Sequence, residues 1–257
     1  MDAIVTAGGK PAPQDSLFSY TQGGYKAMLE MAGKPLIQWV LDALDEASQI
    51  DHVVVVGLPL MIDLNCKKLI KVLPGEGNIV DNLIVGGKEL LKIGTSHPVA
   101  LAVSSDLPGI TAEMVNWSVQ QIMSSLHDFY YFVVERTLME ATFPGSRRTY
   151  LRLKDMEVCG GDINGIRLDV MNNPNPVWKK LIESRKNPLQ QASILGLDTM
   201  LGVMLRMLTL AEAEKQFSQR LHMHGHAIPS AYAEIGMDVD KPFQFEIMRK
   251  FLEKRPV

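Results

Sequence analysis

The hydrophobic positions of this chain change period several times, and each change marks an element. Residues 3–6, Ala-Ile-Val-Thr, form a short apolar run ending in a small-residue loop, the pattern of a buried strand. From residue 35 to 48, Leu36, Ile37, Val40, Leu41, Leu44 and Ala47 recur at helical spacing, with Pro35 in the first helical position. His52-Val-Val-Val-Val-Gly57 is apolar throughout, as in parallel strands covered on both faces. Residues 79–93 read as a helix despite Gly86-Gly87, which weaken it by about 1 kcal/mol each. Residues 98–103 form another buried strand. Thr111 then caps a helix with Glu113 in its first turn and Met114, Val115, Val119, Ile122 and Leu126 on its apolar face.

Strands alternating with helices predict a three-layer α/β/α fold around a mostly parallel central sheet. After the apolar run 129–134 the alternation stops. Residues 149–153 and 164–170 read as short strands flanking a turn. A helical segment follows from about 176 to 219 and contains the capping box Thr209-Leu-Ala-Glu212. Residues 232–239 read as extended. Residues 242–254 close as a helix with Phe243, Ile247, Met248, Phe251 and Leu252 on one face. Without repeats or a long linker, the expectation is one domain over 1–257, with a helical insertion at 172–222. The methionine-rich stretch 200–210 reads as core or interface, with core preferred.

Composition narrows the function classes. A hydrophobic fraction of 46% and a charged fraction of 21% are ordinary for a globular chain. A net charge of −3 without a basic stripe argues against a nucleic-acid partner. Pairs such as Arg147-Arg148 and Lys179-Lys180 read as solvated faces. Cys66 and Cys159 cannot build a disulfide framework and fit a reducing compartment. Asp2 and a very short first apolar run do not make a signal peptide, and Gly202 and Arg206 break the longest apolar run. The expected location is cytoplasmic, with no membrane partner; oligomeric state stays open, a homo-oligomer included.

Candidate chemistry gathers where strands end, because open parallel sheets bind ligands at their carboxyl edge. The loop Ala7-Gly8-Gly9 and the later Lys26 offer bare N–H groups and one cation to a polyphosphate. The loop is neither a P-loop nor a dinucleotide fingerprint. Ser104-Ser-Asp106-Leu-Pro108 puts Asp106 at the end of a strand, suited to Mg²⁺ or to capping a turn. Asp238 and Asp240 alternate, so an extended segment points both to one side, toward a shared metal; Asp240 is equally suited to cap the last helix. Cys159-Gly-Gly-Asp162-Ile-Asn164-Gly165 reads as a glycine-rich turn, either a plain hairpin or a pocket wall. The histidines in His222-Met-His-Gly-His226 lack the company of a zinc site, and no Gly-x-Ser-x-Gly elbow is present.

These pieces together resemble nucleotidyltransferases with the glycosyltransferase-A-like fold. That group includes the molybdopterin-guanine dinucleotide biosynthesis protein A type and the methylerythritol phosphate cytidylyltransferases. The likeness rests on Ala7-Gly-Gly9, Lys26-Ala-Met-Leu-Glu-Met-Ala-Gly-Lys-Pro-Leu36, Ser104-Ser-Asp-Leu-Pro108 and Gly236-Met-Asp-Val-Asp-Lys-Pro242. It implies that Ala7, Gly8, Gly9 and Lys10 cradle an NTP, that Asn82 contacts base or ribose, and that Lys26 neutralises the α-phosphate. It further implies Mg²⁺ on Asp106 with Asp240 or Asp238, and a phosphorylated small-molecule acceptor near Asp162, Asn164 and Arg148. The group's Gly-x-Gly-x-Arg-Met loop is absent; Lys10, Arg147 and Arg148 are candidates for the arginine's place. The alternatives are a nucleotide-sugar glycosyltransferase and a nucleotide-binding regulatory protein without turnover.

Overall fold

The computed structural model describes residues 1–95, 97–173 and 204–255, with 176, 177, 180, 194, 196, 201 and 202 between them. Strand β1 (Ala3–Thr6) sits inside an eight-stranded sheet. It pairs in parallel with β4 (Val53–Val56) on one side and β6 (Val99–Ser104) on the other. Two two-residue strands, β2 (Glu30–Met31) and β3 (Lys34–Pro35), form a separate hairpin. Two edge strands carry no clear sequence signal. They are β5 (Leu69–Leu73), beside β4, and β10 (Gly225–Pro229), beside β7 (Phe129–Glu135).

The period of two in these apolar strands sends alternate side chains to opposite helix layers. Ile4, Val54, Val56 and Ala100 pack with Val80, Leu83 and Leu90 of α3 (Ile79–Ile93), while Val5, Val55 and Leu101 face α2 (Leu36–Glu46) and α4 (Ala112–Met123). This is the expected α/β/α arrangement. Burying each such aliphatic side chain contributes about 1.5–3 kcal/mol, and Leu41→Ala in α2 would cost about 2–5 kcal/mol. Among the described residues no helix is long and apolar enough to cross a membrane.

Several expectations are corrected. Pro35 is not helical: it pairs with Glu30 and stands as the N-cap of α2 with ψ 150. The stretch 159–165 is no turn. It lies inside β9 (Glu157–Arg167), an unbroken strand antiparallel to both β6 and β7. Its glycines make room for neighbours, since a Cβ on Gly165 would lie 2.8 Å from Ile122 and one on Gly161 2.9 Å from the Phe132 carbonyl oxygen. Before it, only β8 (Leu151–Arg152) is a strand; after it the chain becomes helix α6 (Leu168–Asn172). Within 232–239 a 3-10 turn, Ala233–Gly236, replaces the expected extension.

The short helices α1 (Phe18–Thr21) and α5 (Arg136–Thr142) complete the first part of the chain. Within the stretch expected to be a helical insertion, 172–222, α7 (Leu210–Leu221) is described, with the Thr209–Glu212 capping box formed; most of 172–209 lies outside the described residues. Met204, Leu205 and Met207 are exposed, against the core reading. His226 pairs with Glu214 at 3.0 Å and stacks on His127 rather than joining His222 and His224. The final helix α8 (Pro242–Glu253) starts with Pro242 as expected, and Phe245, Met248 and Leu252 are its buried apolar residues.

Candidate active site

Chain order reverses beside β1, because β4 and β5 extend the sheet one way and β6 lies on the other side. The carboxyl ends of β1 and β6 therefore flank the switch point where such sheets bind ligands. Thr6 and Ser104 are paired there, so the loops 7–10 and 105–106 emerge side by side. The Ala7 N–H is not free for phosphate, contrary to expectation: it donates to the Val56 carbonyl at 2.8 Å, extending the sheet by one residue. Gly8, Gly9 and Lys10 line a cavity of about 1200 Å³ together with Asn82, Lys26 and Asp106. The Lys10 ammonium lies 4.2 Å from the centroid of the Tyr25 ring.

Asn82 is buried in the first turn of α3. Its Oδ1 accepts the Glu76 N–H at 2.8 Å and so holds the loop that brings Gly75 and Gly77 to the cavity wall. The polar stretch after Gly9 returns to its starting point, where the Lys26 N–H donates to the Gly9 carbonyl at 2.8 Å. That bond opens a 3-10 turn, Lys26–Met28, and places the Lys26 side chain over the end of β6.

Lys26 bridges two carboxylates, Asp106 and Asp240, the latter at 2.6 Å. Burial alone would lower the lysine pKa, but Asp106 and Asp240 outweigh it and hold the ammonium charged. Ser104 donates its hydroxyl to Asp106. The Val239 N–H donates to the Asp106 carbonyl at 3.2 Å, tying the late segment to the end of β6. With Val239 buried in the core, Asp238 and Asp240 on either side of it face the cavity, as the alternation suggests. Asp240 is not the cap of α8, whose N-cap is Lys241 with no side-chain cap bond.

Oxygens of Asp106, Asp238 and Asp240 all lie within 4.8 Å of one another. Asp162, midway along β9, lines the same cavity. Arg148 pairs with Asp238 and lies 3.9 Å from Asp162. Four carboxylates thus face two cations, Lys26 and Arg148. Burial and then the nearby Asp106 push Asp162 up to about 7, against the pull of Arg148. Burial, Asp162 and Asp106 likewise raise Asp238 well above the carboxylate range. Asp240 goes the other way: burial opposes its ionisation, but Lys26 outweighs burial. Uncompensated charge on an all-oxygen donor set suits a hard divalent cation such as Mg²⁺.

A second cavity of about 550 Å³ shares Asp162, Asp238, Asp240 and Thr149 with the first. Tyr131 forms one wall by standing over Gly160, where a Cβ would lie 2.0 Å from its hydroxyl. Asn164 lines neither cavity; its Nδ2 donates to the Gly161 carbonyl at 3.3 Å. Sequence reasoning missed Tyr131, Thr149, Phe243 and Gln244, since β7, the turn before β8 and α8 meet only in three dimensions. Asn78, also on the larger cavity, had a legible signal as a helix cap.

A mostly parallel sheet that brings a glycine loop, a lysine and three carboxylates to its switch point is the layout of an α/β ligand-binding domain. The chain belongs to the MobA-like NTP transferase domain family, whose model matches residues 3–166. A probable molybdenum cofactor guanylyltransferase of Thermococcus gammatolerans is 30% identical over 103 residues, covering 40% of this chain and 51% of that protein. The chain therefore spans about half the length of that curated relative. A hypothetical transferase structure from Thermus thermophilus superposes with a TM-score of 0.82 at 29% identity, covering 95% of this chain and 98% of the other. A CMP:2-keto-3-deoxy-manno-octonic acid synthetase complexed with CTP shares the fold, with a TM-score of 0.60 at 15% identity over 98% of both chains.

Proposed function

We propose that this chain is a Mg²⁺-dependent nucleotidyltransferase, one domain with an insertion at 172–222. It moves a nucleoside monophosphate from an NTP to a phosphorylated small-molecule acceptor and releases pyrophosphate. One observation carries the reading: two cavities meet at a single cluster of carboxylates, one with the glycine loop and Lys26, the other with Arg148. Two substrates, one in each cavity, would bring their reacting phosphates together there, and positioning supplies much of the rate.

Gly8, Gly9 and Lys10 would receive the NTP phosphates, and Asn82 would keep the facing loop in place for the nucleoside. Asp106, Asp240 and Asp238 would hold Mg²⁺, which draws charge from phosphate oxygens and fixes their orientation. Lys26 is tethered beside Gly9 by its backbone. Once its ammonium leaves the carboxylates it can neutralise charge growing on the α-phosphate. Arg148 keeps Asp238 and Asp162 from repelling the acceptor. Free Cys66 and Cys159 fit a cytoplasmic setting.

The test is pyrophosphate release from purified protein with each NTP, Mg²⁺ and a panel of phosphorylated sugars and alditols, with Asp106→Ala as control. GTP comes first because the curated relative is named a guanylyltransferase. Release that requires one NTP, one acceptor and Asp106 supports the reading. Tight NTP binding without release across the panel would favour a regulatory nucleotide-binding role.

A further inference from the structure

Three cations and three carboxylates line the smaller cavity, yet among the described residues these carboxylates pair with only one of those cations. Arg148 is engaged by Asp238 and Asp162. Arg147 and Lys241 line the same cavity, and neither has a carboxylate partner among the described residues. Arg147 is also held in place. The turn that presents it has Gly145 at φ 78 and Arg147 itself at φ 51, a left-handed conformation unfavourable for a residue with a Cβ. Its guanidinium carbon stands 5.2 Å from the centroid of the Phe243 ring. A guanidinium stacked on an aromatic face keeps its in-plane N–H donors available, a geometry suited to carboxylate or phosphate.

The same cavity also presents the reverse sign. Asp162, Asp238 and Asp240 repel any anion that arrives without a cation to share. A ligand in this cavity therefore meets both a carboxylate cluster and two cations that have no carboxylate partner among the described residues. Gln244 does not supply the missing negative charge: it is a neutral amide whose Oε1 accepts the Asp240 N–H at 2.9 Å.

We propose that Arg147 and Lys241, with Arg147 stacked on Phe243, form a second anion subsite of the acceptor cavity. The acceptor then carries two anionic groups: the phosphate that takes the nucleotidyl group at the carboxylate cluster, and a carboxylate or second phosphate at Arg147. This rests on reading the smaller cavity as the acceptor side of a nucleotidyl transfer. Arg147 is a specificity-determining residue in this scheme and takes no part in bond making.

The probes are a six-carbon aldonic acid phosphate and the matching alditol phosphate, which differ only in a carboxylate replacing a terminal hydroxymethyl group. Each is titrated by calorimetry with Mg²⁺ into the full chain and into Arg147→Gly and Arg147→Lys. Glycine suits the left-handed turn, so Arg147→Gly should melt no lower than the parent. The parent should bind the aldonate at least about tenfold tighter than the alditol, the scale of one charge-assisted contact. Arg147→Gly should erase that preference, and Arg147→Lys should restore part of it. Equal affinities in the parent, no binding of either probe, or a preference that survives in a folded Arg147→Gly would each overturn the subsite. Pyrophosphate release is scored separately. A parent that shows the preference but releases none would count against the transfer reading alone.

Discussion

Gly57, at the end of β4, runs backbone against backbone with Gly8 of the loop that follows β1. A Cβ on Gly57 would lie 2.2 Å from the Gly8 nitrogen and 2.8 Å from the Ala7 carbonyl carbon, and Gly57 has φ 120. Neither backbone can retreat, because Ala7 donates to Val56 while Gly57 donates to Leu73 at 2.9 Å. The loop thus owes its position to a missing side chain on another strand.

Gly57→Ala should therefore shift the loop and destabilise the fold by about 1–3 kcal/mol or more. A lowered melting temperature with weakened NTP binding is the expected result. Gly9→Ala is the control: nothing lies within 4 Å of its Cβ position, so its stability should change little. Wild-type melting and NTP affinity in Gly57→Ala would refute the close approach.

Lys26 occupies Asp106 and Asp240, two of the carboxylates proposed to hold Mg²⁺. Lys26→Met should lower kcat by about 10²–10³ through loss of charge stabilisation. The same change should tighten apparent Mg²⁺ binding by removing the competing ammonium. Magnesium titrations on both proteins check this; weaker Mg²⁺ binding in the variant would mean that the lysine supports the metal site.

The raised Asp162 makes metal-free stability depend on pH. An unfolded aspartate titrates near about 3.9, against about 7 in the fold. The native state thus binds this proton more tightly. Its stabilising contribution is complete below the unfolded value and disappears as pH rises through the folded one. Asp162→Asn should melt higher than the parent above neutral pH, and the gap should close on acidification. Melting curves across this window decide, and a gap that widens toward acid would reverse the assignment.

Gly86 shows why a helix interior keeps a glycine. A Cβ there would lie 2.6 Å from Ile4 Cγ2, so α3 rests on β1 at backbone distance. Alanine offers about 1 kcal/mol of helix propensity, yet the clash in a packed core should leave Gly86→Ala less stable by about 1–3 kcal/mol. At Gly87 the nearest atom is the Met171 sulfur, 2.9 Å away on a flexible side chain. Gly87→Ala should consequently cost less, and chemical denaturation of the pair would show it.

The elements legible in the chain were those whose pattern is local. The all-apolar β4, the helical stripe of α2 and the caps Thr111 and Thr209 all stand where periodicity and capping chemistry put them. The position of Asp106 was legible for the same reason, as a polar residue just past the end of an apolar strand, beside the larger cavity. The strand β9 was not, because Gly160, Gly161 and Gly165 look like a turn until Tyr131, Phe132 and Tyr130 are seen to fill the space they leave.

By itself the sequence determined the layering, since a period of two against one of 3.6 decides which faces must be buried. It also determined the chemistry available: glycine loop, lysine, carboxylates. Only the tertiary structure decided what those groups do to one another. Lys26 and Asp240 are 214 residues apart, and no local rule couples them. Burial and Coulomb forces act through space, so the ion pair, the raised Asp162 and the contact of Arg147 with Phe243 exist only once the sheet has brought distant segments to one edge.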